Sequence, residues 1–296
     1  MKPLRNNERL SELLTRVQGM RLDAQGLVEG FLSGRHRSPH HGVSIEFSDH
    51  KEYTPGDDLR TIDWKVFGRS DKLYIKRFHH ETDLTARIIL DGSGSMAYGP
   101  DESMKYRCAG VFALALSYLF LRQGDRVEMQ VVSDQVQGRV PARPGLGHFS
   151  SIAQMLESTI PEGETALGPV LDGQVERFGR RRAIIILTDV FEDPERLFRP
   201  MRALRARGCS VLLLHVLHGD ELDFPFDGVR DFRSMETEGN LVTEPQLIRS
   251  LYLKRMRSHL ETITTGVQQS NVGYLRIRTD DSLEAPLYEL VRRGLP

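Results

Sequence analysis

The chain has 296 residues and a near-even charge balance, 40 Lys and Arg against 41 Asp and Glu, for a net charge of -1 and a pI near 6.8. No basic field exists to hold nucleic acid or an anionic membrane surface, and the 39% apolar and 27% charged fractions are those of a soluble globular protein of one large domain or two ordinary ones. Met1–Glu8 leads into a charged amphipathic stretch, so no signal peptide is expected.

The first segment, Asn7–Leu32, carries apolar residues at helical spacing, among them Leu10, Leu13, Leu14, Val17, Met20, Leu27 and Phe31. The polar, breaker-rich loop Ser33–Gly42 follows. Two strand-like runs, Val43–Phe47 and Leu73–His79, bracket a block from Glu52 to Trp64. Its Pro55-Gly56-Asp57 marks a turn, and Leu59–Trp64 has the makings of a short helix. From about Thr85 strands and helices alternate. Strands are predicted at Ala86–Leu90, Arg126–Val132, Arg182–Leu187, Ser210–Val216 and Gly273–Ile277, with Gln137–Val140 pairing back on Arg126–Val132 as an antiparallel edge. Helices are predicted at Ser103–Arg122, His148–Ser158, Leu167–Phe178, Pro194–Arg207, Glu244–Gln269 and Leu283–Arg293. The runs Ile184–Leu187 and Val211–Leu214 are apolar on both faces, as strands of a parallel sheet covered by helices on each side must be. Residues 219–243 read as an inserted loop and hairpin. The fold class is therefore α/β, a mostly parallel sheet flanked by helices over residues 83–296. A smaller helix-and-strand region over residues 1–82 precedes it. The apolar segment Ala109–Leu121 is too short to span a bilayer and reads as a core helix. Cys108 and Cys209 are isolated and set in apolar elements, which fits a reducing cytoplasm rather than a disulfide scaffold.

The most informative motif is Asp91-Gly92-Ser93-Gly94-Ser95, at the end of the apolar run Ala86–Leu90. One carboxylate and two hydroxyls, spaced two apart in a turn, can face one hard cation, and magnesium, which takes oxygen ligands and few charges, suits them. The neutral serines leave the ion's charge available to a partner's carboxylate or a phosphate. Asp189 ends a second apolar run. If the two strands are neighbours at a switch point, both carboxylates face one crevice beyond the strand ends. Ionised together without a cation, they would repel. Thr165, just before the helix that feeds the Asp189 strand, offers a further hydroxyl. Each residue also has a plain structural reading: Ser93 and Ser95 as turn residues, Thr165 as a helix cap, Asp189 closing a turn on its own backbone.

In combination and in this order, Asp91, Ser93, Ser95, Thr165 and Asp189 resemble the metal-ion-dependent adhesion site of von Willebrand factor A domains. The resemblance implies that Ser93, Ser95 and Thr165 coordinate the ion directly or nearly so, with Asp91 and Asp189 acting directly or through water. A second resemblance covers about residues 30–290. Ser33–Ser38, Gly42–Phe47, Tyr53–Trp64 and Lys76-Arg77-Phe78 are similar to the signature blocks of the bacterial domain-of-unknown-function 58 family, which carries a von Willebrand A-like half after such an N-terminal region. Lys51 stands where an arginine is usual. Many relatives begin with membrane helices, and none is expected from the opening residues here. Relatives are commonly associated with MoxR-type AAA+ ATPases, so the resemblance implies a partner but no activity.

Within the Tyr53–Trp64 block, Gly56, Asp57, Asp58, Arg60 and Asp63 could form a charged docking surface. Alternatively Arg60 pairs with an acid and Trp64 packs the N-terminal region against the sheet. The histidines His36, His40, His41, His50, His79 and His80 have no zinc-site spacing. Lys254-Arg255-Met256-Arg257 reads as the solvated face of a helix whose buried stripe is Ile248, Leu251, Tyr252, Leu260, Ile263 and Val267. Three functions compete. The first is a non-enzymatic, magnesium-dependent (or manganese-dependent) protein-interaction module, with a partner's acidic residue completing the ion's coordination. The second is a metal-dependent hydrolase or phosphoryl-transfer enzyme using Ser93 and Asp91, with His215 or His218 as base. The third is a scaffold with a vestigial metal site. The sequence lacks Gly-x-Ser-x-Gly around the serines, a phosphate-binding loop and the Asp-x-Asp of aspartyl phosphatases, so the first is favoured.

Overall fold

Strands apolar on both faces need helices on both sides, and the chain supplies them in alternation. The computed structural model describes residues 19–32, 50–52, 74–76, 84–179, 182–237 and 239–294. Two units are distinguished, residues 36–83 and the remainder. In the smaller unit, β1 (His50–Glu52) pairs antiparallel with β2 (Tyr74–Lys76). The strand expected at Val43–Phe47 and the residues Tyr53, Gly56, Asp57, Asp58, Arg60, Asp63 and Trp64 lie outside the described residues.

In the larger unit, β3 (Thr85–Asp91), β4 (Arg126–Val132), β5 (Val136–Arg143), β6 (Ala183–Thr188) and β7 (Ser210–Leu217) join a last strand after the hairpin of β8 (Arg230–Arg233) and β9 (Asn240–Thr243). That last strand is β10 (Gly273–Arg278), and the six-stranded order is β10-β7-β6-β3-β4-β5. All pairs are parallel except β4–β5, the antiparallel edge predicted from sequence. Renumbered within this sheet, the order is that of a doubly wound fold, with its switch point between β3 and β6. Leu90 pairs with Leu187, so Asp91 and Thr188-Asp189 leave the sheet side by side.

The strand pleat divides the interior in two. Ala86, Ile88, Leu90, Ile185, Leu187, Leu212 and Leu214 face one core, and Ile89, Ile184, Ile186, Val211 and Leu213 face the other. The first core is closed by α1 (Met20–Leu32), α2 (Lys105–Arg122), α3 (His148–Ser158) and the C-terminal helix. The second is closed by α4 (Leu167–Asp172), α5 (Pro194–Ala206) and α7 (Pro245–Gln269). Between β7 and β8 runs the short α6 (Gly219–Asp223), and α8 (Glu284–Arg293) ends the chain's helices. Helix α2 is apolar nearly all round because α1 and α3 cover the face the sheet does not. At Gly110 a Cβ would overlap Met20 Sδ, so the glycine lets α1 seat on α2. Helix α1 therefore groups with the α/β unit, although its sequence position had placed it with the N-terminal region.

Two other expectations change. The helix predicted over Leu167–Phe178 is interrupted at Gly173 and resumes as a 3-10 turn at Val175–Phe178, since glycine costs about 1 kcal/mol against alanine in a helix interior. In α7, Ile263 and Val267 are buried as predicted, but Leu251 is exposed. The N-terminal half of α7 turns Tyr252 rather than Leu251 inward, onto Phe224 at a ring distance of 4.3 Å. Among the described residues no helix is long and apolar enough to cross a membrane.

Candidate functional site

At the end of β3 the chain turns sharply, and short side chains fold back onto the backbone. Asp91 Oδ1 accepts from Ser93 N at 2.9 Å, and Asp91 Oδ2 accepts from Thr188 Oγ1 at 2.6 Å. Ser93 Oγ and Ser95 Oγ lie 3.1 Å apart. Asp91, Ser93, Ser95 and Asp189 are all buried. The loop carrying Thr165 is stitched alongside: Gly94 N donates to Gly163 O at 2.9 Å and Glu162 N to Gly92 O at 2.8 Å. The sheet order and the adjoining loop thus gather the five predicted residues at one end of the sheet, from three separate stretches of chain.

Their plain structural readings fare unevenly. Thr165 does not cap its helix; the N-cap position of α4 is Ala166, with no side-chain cap. Instead Thr165 Oγ1 donates to Glu236 Oε1 at 2.6 Å, and its backbone N donates to Glu236 Oε2 at 3.1 Å. Asp189 does not close a local turn either. Its Oδ2 accepts from Lys105 Nζ at 2.7 Å, and Lys105 Nζ also donates to Glu221 Oε1 at 2.7 Å. Asp189 Oδ1 is buried without a well-formed hydrogen bond, although the Ser95 hydroxyl lies near enough to help keep the carboxyl ionised.

Burial and charge act oppositely on the two aspartates. Burial first, and then the neighbouring Asp189 charge, push Asp91 up to about 7. Burial also raises Asp189, but the Lys105 ammonium overrides it and holds that carboxyl below the usual range. Burial alone would lower Lys105; Asp189 and Glu221 outweigh it and raise the ammonium above the ordinary lysine range. Val190, directly after Asp189, has φ of 52°. A β-branched residue there is strained by about 1–3 kcal/mol, and such strain concentrates at functional turns. Thr188 Oγ1 accepts from Val190 N at 3.0 Å while donating to Asp91, tying this turn to the β3 loop.

The two histidines considered as bases are committed elsewhere. His215 contacts Asp189 O through Nε2 at 3.0 Å and Tyr274 Oη through Nδ1 at 2.9 Å, and burial lowers it to about 4. His218 Nδ1 accepts from Asp220 N to cap α6. Among the described residues no group of three His, Cys, Asp or Glu could hold a metal ion. The candidate set relies on two carboxylates and on hydroxyls.

Residues 49–262 match the family model described as protein of unknown function DUF58. The chain belongs to that family. Uncharacterized proteins of Mycobacterium tuberculosis and Mycobacterium bovis are each 25% identical to it over 293 residues, covering 96% of this chain and 91% of theirs. Among solved structures, the conserved hypothetical protein BatB from Bacteroides thetaiotaomicron is 20% identical, covering 71% of this chain and 98% of its own, with a TM-score of 0.45. The SpRpn10 VWA domain is 12% identical, covering 71% and 95%, with a TM-score of 0.39. The five candidate residues of this DUF58 chain all fall inside the matched segment.

Sequence reasoning missed Lys105, Thr188, Glu221 and Glu236. Lys105 left one signal, a lone lysine opening the most apolar helix of the chain. The two glutamates belong to the inserted 219–243 segment, where no periodicity marks an inward-facing acid.

Proposed function

We propose that this protein is a non-enzymatic, divalent-cation-dependent protein-interaction module. In this reading Asp91, Ser93, Ser95, Thr165 and Asp189 hold magnesium, or manganese in its place, and a partner's acidic residue joins the coordination. One observation carries it. Two buried carboxylates share a crevice with two adjacent hydroxyls, and one carboxylate oxygen, Asp189 Oδ1, has no well-formed hydrogen bond. A hard cation with oxygen ligands fits that donor set and would offset the burial and the Asp189 repulsion that together raise Asp91. When bound, the ion supplies positive charge for an incoming carboxylate. The chain's own residues position it: Thr188 orients Asp91, and Lys105 orients Asp189. Phe191, two residues past Asp189, is 67% exposed and offers an apolar contact beside the polar one. A MoxR-type AAA+ ATPase is the partner class that family resemblance favours, in a cytoplasmic setting.

The test is affinity capture from a lysate containing a MoxR-type ATPase, with intact protein and Asp91→Ala, each in magnesium and in chelator. Capture lost in both perturbations supports the reading. Capture indifferent to both sinks it, as does the absence of any calorimetric magnesium signal.

A further inference from the structure

Opposite the metal loop, the β8–β9 hairpin brings in a carboxylate that the adhesion-site pattern does not include. Its base is held by aromatic rings: Phe232 in β8 lies 5.7 Å from Phe224 and 5.3 Å from Phe226, and Phe224 stacks on Tyr252. Its tip is ordered by Ser234, whose N donates to Gly239 O at 2.9 Å and whose Oγ accepts from Thr237 N at 3.1 Å. The tip lies directly on the metal loop. A Cβ at Gly94 would overlap the Met235 carbonyl oxygen, so only glycine there permits the approach. Glu236 then spends both carboxylate oxygens on Thr165, one on its hydroxyl and one on its backbone N–H.

That placement adds a further carboxylate to an end of the sheet that already holds Asp91 and Asp189. Asp189 and Glu221 already share Lys105, Asp91 lies near enough to Asp189 for their charges to interact, and among the described residues no Lys or Arg forms an ion pair with Glu236. A fourth carboxylate on a hydroxyl of the candidate metal set makes sense if a divalent ion draws it in. We propose that Glu236 is an internal carboxylate ligand that caps the cation site, so that an outside acidic group binds by displacing the hairpin tip. This rests on the metal-site reading above and adds a gate to it. The aromatic base stays anchored while the short tip exchanges between the chain's own acid and an incoming one, a two-state element biased by competing carboxylates.

The experiment uses full-length protein and manganese alone. Manganese affinity is read by electron paramagnetic resonance, inner-sphere water by proton relaxation, and hairpin protection by hydrogen exchange, in wild type, Glu236→Gln, Glu236→Ala and Asp91→Ala. The expected result is that both Glu236 variants gain an inner-sphere water and bind manganese on the order of tenfold more weakly, since ligand charge tunes such affinities. Manganese should also slow exchange at residues 234–237 in wild type, a readout that needs no variant. If wild type binds manganese, Asp91→Ala abolishes binding, and the Glu236 variants and the hairpin are unaffected, the cap is wrong and the metal site stands. If wild type binds none, or Asp91→Ala binds as well as wild type, both ideas are overturned.

Discussion

Asp91→Asn should raise the stability of the metal-free protein while removing its response to metal. The buried carboxyl is pushed up from 3.8 to about 7 by burial and by Asp189. A folded-state value above the unfolded one means that the native protein holds this proton more tightly. The associated stability is complete below about pH 4 and is lost as pH rises through about 7. Full loss over a shift of about three pK units is worth roughly 4 kcal/mol. Asparagine avoids that penalty. Its Oδ1 can still accept from Ser93 N, but its amide nitrogen cannot accept from Thr188 Oγ1, a loss of about 1 kcal/mol. In chelator at about pH 8 the variant should therefore be more stable by roughly 3 kcal/mol, equivalent to a melting shift on the order of 6 °C or more for a chain of this size. At about pH 5, where wild-type Asp91 is mostly protonated, the advantage should shrink to about 1 kcal/mol or less. Magnesium at about a hundred times its Kd should then stabilise wild type by ~2.7 kcal/mol and leave the variant unmoved. Thermal melts followed by circular dichroism, at both pH values with chelator or magnesium, read all of this. A variant less stable than wild type in chelator at both pH values would refute the electrostatic reasoning.

Lys105→Met leaves Asp189 and Glu221 without their shared ammonium and should cost about 3–5 kcal/mol in metal-free denaturant melts. The same change should tighten magnesium binding in calorimetric titrations, because the ammonium no longer occupies Asp189 Oδ2; unchanged or weaker binding would count against a shared site. His215 is held down near 4 by burial, so its stabilising contribution is complete above about pH 6.5 and fades as pH falls through about 4. His215→Gln should flatten that acid limb by roughly 3 kcal/mol, and an unchanged limb would show that other groups set it. Gly266→Ala should destabilise by about 1–3 kcal/mol, because its Cβ would overlap the Phe198 ring. Phe198→Leu should cost less in that background than alone, as contacting sites are non-additive.

Periodicity made the sheet legible. Ile184–Leu187 is apolar at every position, which requires a strand covered on two sides, and the structure divides those residues between the two cores. The antiparallel β5 edge and the hairpin within residues 219–243 could likewise be read from polar runs and breakers. The aspartates and hydroxyls of the site were visible as strand-end residues because each marks a local break in an apolar run. Leu251 shows where this stops. Helical spacing says which residues share a face, but not where along a long helix the core ends.

The chain's local pattern determined which segments become strands and helices, because burial of one face or two is written in residue spacing. Strand order is a property of how those segments assemble, and it alone set Asp91 beside Thr188 and Asp189. The same assembly brought Lys105 to Asp189 across 84 positions and Glu236 to Thr165 across 71. No spacing rule reaches that far. Charged partners in a buried crevice are selected by the free energy of leaving a carboxylate uncompensated, a condition that exists only once the crevice has formed.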